Sequence, residues 1–163
     1  MRFSKKDFSR VYHRLIIRQA IPEDTPNLAK LYQSVRQQIF TWEKPEKFKF
    51  YDYHESVAGE EVWVAEVKNA HAIPEIAGFI SVYAKTSFIH NLFIASEWQG
   101  HGIGTKLLKK ALECFPQPLT LKVHIGNMRA CRYYEKLGWR RIGTDERTVE
   151  PYHLYEYYSG ERQ

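Results

Sequence analysis

The chain has 163 residues, 44% of them hydrophobic and 26% charged, with a formal net charge of +5. That length supports one domain with its own core, and the composition is that of an ordinary folded chain rather than a fibrous or disordered one. No apolar run reaches the ~18 residues of a membrane span, so no membrane partner is expected. The start, "MRFSKKDFSRVYHRL", is basic but lacks the apolar block of a secretory signal. Cys114 and Cys131 show no CxxC spacing, which argues against a disulfide scaffold or a zinc site. No metal and a reducing, cytoplasmic location are the expectation. The basic residues are scattered, apart from the first fourteen residues and Arg129, Arg132, Arg140 and Arg141. With no zinc-finger or basic-zipper spacing, nucleic acid is not the expected partner.

Residues 1–14 read as a basic N-terminal extension and residues 15–163 as a single domain. "RLIIRQAI" is a predicted strand, and "PEDTPNLAKLYQSVRQQI" a helix with Leu28, Leu31 and Val35 on one side and acidic residues in its first turn. The aromatic segment "FTWEKPEKFKFYDY" carries no clear periodicity. "EVWVAEV" and "EIAGFISVY" are strands, joined as a hairpin through "KNAHAIP". "SFIHNLFI" is a strand that runs into "EWQGHGIG". The helix from about Gly102 to Cys114 places Ile103, Leu107, Leu108, Ala111 and Leu112 on a core-facing stripe. "PLTLKVHI" is a strand, and Asn127 to Leu137 a helix, with Asn127 suited to the N-cap and Gly138 to the position after the C-cap. "WRRIGT" and "YHLYEYY" close the chain as strands. Hairpins mixed with crossover helices read as α/β with a mixed sheet.

Glycines at positions 100, 102 and 104, between a strand and a helix, suit an anion held by amide N–H groups at the positive end of the helix. Two phosphate loops fail on spacing. A Walker A loop needs lysine directly after its last glycine, but Thr105 follows Gly104; a dinucleotide fingerprint needs its third glycine one residue later than Gly104. The pattern present is Q-x-x-G-x-G at Gln99, Gly102 and Gly104. Downstream, Asn127, Ala130, Tyr134, Gly138 and Trp139 spell N-x-x-A-x-x-x-Y-x-x-x-G-W, and Leu92 and Ile94 precede the loop on its strand. In these two motifs, between residues 87 and 144, the chain resembles the GNAT superfamily of acetyl-CoA-dependent N-acetyltransferases. Trp139 stands where that family usually has phenylalanine.

The resemblance implies a GNAT-like mixed sheet, splayed between its fourth and fifth strands and flanked by helices, with acetyl-CoA in the gap as acetyl donor. It implies that main-chain N–H groups of Gln99, Gly100, His101, Gly102, Ile103, Gly104 and Thr105 hold the diphosphate. Backbone groups of Leu92, Phe93 and Ile94 would meet the pantetheine arm and the acetyl carbonyl. Asn127 would contact the same arm, unless it is a plain N-cap. Tyr134 would protonate or hydrogen-bond the departing thiolate, unless it is only core; Tyr133 is expected to point elsewhere. For the general base the residues offer His90, expected to share a strand face with Leu92 and Ile94. His124 is held in reserve, and a structural histidine is the alternative for either. The acceptor is expected to be a primary amine, of a small molecule rather than a peptide or protein, entering between Phe40–Tyr53 and "TDERTVEPYH". The aromatic residues of the first of these segments are expected chiefly in the core. A CoA-binding sensor without turnover is the competing class, and a homodimer stays open.

Overall fold

The computed structural model describes residues 14–68 and 71–160. The extension read at residues 1–14 lies outside the described residues apart from Arg14, as do two residues of the "KNAHAIP" loop. Where β-branched and aromatic residues cluster, the chain is extended: β1 (Ile16–Gln19), β2 (Glu61–Lys68), β3 (Pro74–Tyr83), β4 (Phe88–Ile94), β5 (Leu119–His124), β6 (Arg140–Asp145) and β7 (Tyr152–Tyr157). Where apolar residues recur every three or four positions it is helical: α1 (Thr25–Ile39), α3 (Ile103–Cys114) and α4 (Met128–Lys136). The short α2 (Asp52–Ser56) lies in the aromatic segment whose periodicity is unclear. The first helix starts later than its sequence suggests, because Pro22–Asp24 form a separate 3-10 turn. The reason is local: Pro26 has no N–H with which to bond the Pro22 carbonyl, so the α ladder cannot include that turn.

The strands form one mixed sheet in the order β1-β2-β3-β4-β5-β7-β6. All neighbours are antiparallel except β4 and β5, which are parallel. On one face, Leu28, Leu31 and Val35 of α1 and Tyr53 of α2 pack on Val64 and Phe79. On the other, Leu107 and Leu108 of α3 and Cys131 and Tyr134 of α4 pack on Ile80, Leu121 and Tyr155. Among the described residues no helix is long and apolar enough to cross a membrane.

Two side-chain clusters fix elements that the site depends on. The Asp24 carboxylate accepts from the Ile21 N–H at 2.8 Å and from both Arg18 terminal nitrogens at 2.8 and 3.0 Å; Arg18 Nε donates to Glu66 at 2.8 Å. β1, β2 and the head of α1 are thereby tied together. On the opposite face, the fully buried Tyr155 of β7 donates its hydroxyl to Glu135 of α4 at 2.8 Å, and Arg141 of β6 donates to the same carboxylate oxygen at 2.9 Å. That contact fixes α4 over the β6–β7 hairpin.

The sheet is not continuous in its middle. β4 and β5 pair only at Phe88–Thr120 and Ile89–Leu121. Beyond that point β4 stays with β3 as far as Ile94–Gly78, while β5 stays with β7 as far as His124–Tyr152. The β3–β4 register shifts where pairing fails: Ser81 faces Asn91 and Val82 faces Ile89, so His90 is an extra residue, a β-bulge. Bulges increase local twist and bend the strand that carries them. Here that turns the end of β4 away from β5 and opens a wedge, which is the splay the resemblance implies.

Candidate active site

A cleft of about 760 Å³ occupies the wedge and is lined by residues from both faces of the sheet. On the α3–α4 face it meets the glycine loop. Gln99 Nε2 donates to the Ile94 carbonyl at 2.9 Å, which folds the chain back after β4. Gly102, with φ at +78°, is the N-cap of α3, and the first helical bond runs from the Lys106 N–H to its carbonyl at 3.2 Å. The amides of Ile103, Gly104 and Thr105 therefore have no acceptor within the helix. A left-handed backbone at position 102 suits glycine, and no acidic side chain occupies the first turn to compete for those donors. Gly104 is favoured by contact instead: a Cβ there would lie 3.0 Å from the Tyr133 hydroxyl, which would have to shift, and 3.7 Å from Ile94 Cγ1. Gln99, Gly100, Gly102, Ile103, Gly104 and Thr105 all line the cleft; His101 does not.

The floor of the wedge is the free side of β4. The Ala95 N–H bonds the Ala77 carbonyl at 2.8 Å, which makes this a hydrogen-bonded pair of the β3–β4 ladder. Such pairs alternate along antiparallel strands. Phe93 and Asn91 therefore direct their main chain to β3, and Leu92 and Ile94 direct theirs into the wedge. Phe93, grouped by sequence with its neighbours as a backbone contact, contributes its ring instead, packed edge-on against Tyr32 with centroids 5.5 Å apart.

α4 closes the α3 side. Asn127 caps it, its Oδ1 accepting from the Ala130 N–H at 3.2 Å, and the residue also lines the cleft. The cap and a ligand contact are therefore compatible. Tyr134 lines the cleft too, with a ring buried against Trp139 and Tyr155 at 5.6 and 6.3 Å. That burial pushes its phenol well above the ordinary value. Tyr133, expected to point elsewhere, also reaches the cleft, where its hydroxyl lies 3.0 Å from Thr105 Oγ1. The signal that could have placed it is Gly104, whose missing Cβ leaves room for the Tyr133 hydroxyl.

On the α1–α2 face the cleft is aromatic. Phe40 and Trp42 stand edge-to-face at 5.4 Å, and Trp42 tilts over the His124 ring at 4.7 Å. The segment expected mainly in the core divides: Phe48 is buried at the edge of the cleft, Tyr51 is exposed, and Phe40 and Trp42 form a wall of the cleft. Val149, Glu150 and Tyr152 of the final hairpin face them. His124 Nδ1 accepts from the Gly126 N–H at 3.0 Å, which fixes the proton of a neutral ring on Nε2 and leaves no unshared pair there for base work. His90 lines the cleft on this same face, bonded to Glu60. The expectation that it shares a face with Leu92 and Ile94 fails because the bulge breaks the alternation: His90 and Asn91 both turn toward α2. Cys131 is buried in the core beside Tyr155, and Cys114 is exposed; neither lines the cleft.

Among solved structures, the chain is similar to the PaiA N-acetyltransferase from Thermoplasma acidophilum in complex with coenzyme A (17% identity, 88% of this chain and 99% of that one, TM-score 0.70). It is similar to apo-form YjaB from Escherichia coli (22% identity, 87% and 95%, TM-score 0.68). It is similar also to a spermidine N-acetyltransferase from Vibrio cholerae in complex with CoA and spermine (19% identity, 89% and 95%, TM-score 0.61). At such identities these likenesses establish the fold. The sequence itself matches the model of the acetyltransferase (GNAT) family over residues 26–139, which contain β4, the glycine loop and the whole of α4. With that match, a splayed seven-stranded sheet and an amide-lined helix head in the splay, the chain belongs to the GNAT acetyltransferase family.

Proposed function

We propose that the protein is an N-acetyltransferase that moves the acetyl group of acetyl-CoA to the primary amine of a small molecule, by direct attack in a ternary complex. The observation that carries this reading is the continuity of the cleft. One opening joins the amide-lined head of α3 to the aromatic vestibule on the other face of the sheet. Two reactants entering from opposite faces would meet at Leu92–Ile94, and held reactants gain effective molarity without a covalent enzyme intermediate. The positions of the two cysteines, outside the cleft, agree with that.

Acetyl-CoA would supply the activated thioester. The residues fit it: the amides at the head of α3 would hold its diphosphate, where the helix dipole favours negative charge. The N–H groups of Leu92 and Ile94 would bond the pantetheine arm and the acetyl oxygen, the second stabilising the charge that develops on that oxygen. Asn127 would give its Nδ2 hydrogens to the arm while Oδ1 stays on its cap. The Tyr134 hydroxyl would hydrogen-bond the leaving sulfur, and His90 would take the amine proton.

The acceptor side favours a small amine with an apolar body over a polyamine. Its aromatic wall carries Arg36 paired with Asp52 at 3.0 Å and Lys47 paired with Glu43 at 2.8 Å, so it offers no excess of free carboxylates to attract a polycation. Free-thiol release from acetyl-CoA across a panel of small amines, peptide N-termini and lysine peptides, with product mass, tests the reading. Release confined to small primary amines, with one acetyl group added, is expected. Release with peptides alone would reassign the acceptor. CoA protection against heat without release on any amine would replace the enzyme by a binding module.

A further inference from the structure

The roles above make no use of the Glu60 carboxylate, whose placement is costly. Glu60 follows α2, at the entry to β2, and its side chain is only 4% exposed. An ionised carboxylate at that depth is destabilising unless it is paired. Its Oε1 is bonded to His90 Nδ1, while Oε2, also buried, has no hydrogen-bond partner among the described residues. The His90 ring, by contrast, is 55% exposed and lines the cleft. A buried anion thus reaches the cleft through one face of an accessible imidazole. The bulge that carries the ring is pinned from the same side, since Asn91 Nδ2 donates to Ser56 Oγ and Ser81 Oγ, each at 2.8 Å.

We propose that Glu60 is a positioning residue for acetyl transfer, holding His90 as the Nδ1–H tautomer so that Nε2 is the nitrogen that receives the amine proton. The proposal rests on the reading of the cleft as an acetyltransferase site with His90 as base. In the step, the amine nitrogen bonds the acetyl carbon as the carbon–sulfur bond breaks, and the electron pair of that bond leaves on the thiolate beside Tyr134. The amine proton goes to Nε2. The resulting imidazolium keeps its Nδ1–H on Glu60 and later loses the Nε2 proton to water. Two charged groups bias the ring: Glu60 favours the imidazolium, and Lys122 of β5 opposes it. Partial burial also opposes it, yet the hydrogen bond from Glu60 prevails and His90 is raised above the ordinary histidine value. A raised value makes Nε2 the stronger base and places the acidic limb of the rate profile above that of an unpaired histidine.

Two measurements test the role. Ring ¹⁵N shifts of His90, assigned with His90→Gln, are expected to report the Nδ1–H tautomer above its titration; Glu60→Gln is expected to move that titration to lower pH. In kinetics with acetyl-CoA and the best amine of the panel, Glu60→Gln is expected to lower kcat about 10- to 100-fold and shift the acidic limb of kcat/KM the same way. An Nε2–H tautomer in the wild-type protein, or a titration and limb left in place by Glu60→Gln, would overturn the proposal. If His90→Gln abolishes the limb while Glu60→Gln leaves it unmoved, the proposed function stands and the positioning role fails. A limb that persists in His90→Gln removes His90 as base, and Glu60 with it. Should Glu60→Gln not fold, the wild-type tautomer decides.

Discussion

Burial holds the Tyr134 phenol above its ordinary pKa of 10.0, so it remains a donor throughout any working pH range. A thiol ionises near 8.5, so a phenol raised above its ordinary value favours hydrogen-bonding a departing thiolate over handing it the proton. In the proposed reaction its contribution would be a hydrogen bond that strengthens as charge develops on sulfur. Tyr134→Phe is therefore expected to lower kcat by about 10²-fold with little change in CoA affinity, read by initial rates and calorimetry; equal losses in both would show a binding residue. Gly102 serves through what it lacks. Glu at that position would put a carboxylate at the helix head and force a left-handed backbone on an L residue. Calorimetry with CoA should then detect no binding, and retained affinity would remove the diphosphate from this loop.

At the scale of elements, the loop after α1 and the β5 strand together make the aromatic wall proposed to receive the acceptor. Trp42 lies against His124, and neither belongs to the motifs that mark the coenzyme side. Trp42→Ala opens that wall and leaves the head of α3 untouched. KM for the amine is expected to rise about tenfold, the loss of roughly 1.4 kcal/mol of aromatic contact, with CoA affinity unchanged. A fall in CoA affinity of the same size would place Trp42 on the coenzyme instead. The bulge in β4 is the other decisive element, for it both opens the wedge and rotates His90 toward α2. α3 and α4 were legible from sequence because their signals are local: apolar residues at helical spacing, Asn127 as cap and Gly138 after the last turn. The bulge has no such signal. "SFIHNLFI" reads as plain alternation, and only its register with β3 reveals the extra residue.

For the molecule as a whole, the cluster of Arg18, Asp24 and Glu66 links the first strand pair to the first helix, and it makes stability depend on acid. The Arg18 hydrogen bond holds the Asp24 carboxyl below its usual value, against the opposing effect of burial. A carboxylate depressed in the folded state contributes stability above its unfolded pKa of ~3.9, and that contribution is lost as pH falls through the folded value. Asp24→Asn is expected to cost about 3 kcal/mol in urea unfolding at pH 7, with the difference from wild type shrinking below about pH 4; a difference independent of pH would assign the loss to packing. Sequence alone determined the α3–α4 half of the cleft, because a helix head with its glycines and a capped helix with its tyrosine are each specified by residues a few positions apart. Only the tertiary structure decided the other half. Glu60 meets His90 across 30 positions and Tyr133 meets Thr105 across 28. Such contacts follow from strand twist, register and the packing of α2 on the sheet, which no short stretch of chain specifies.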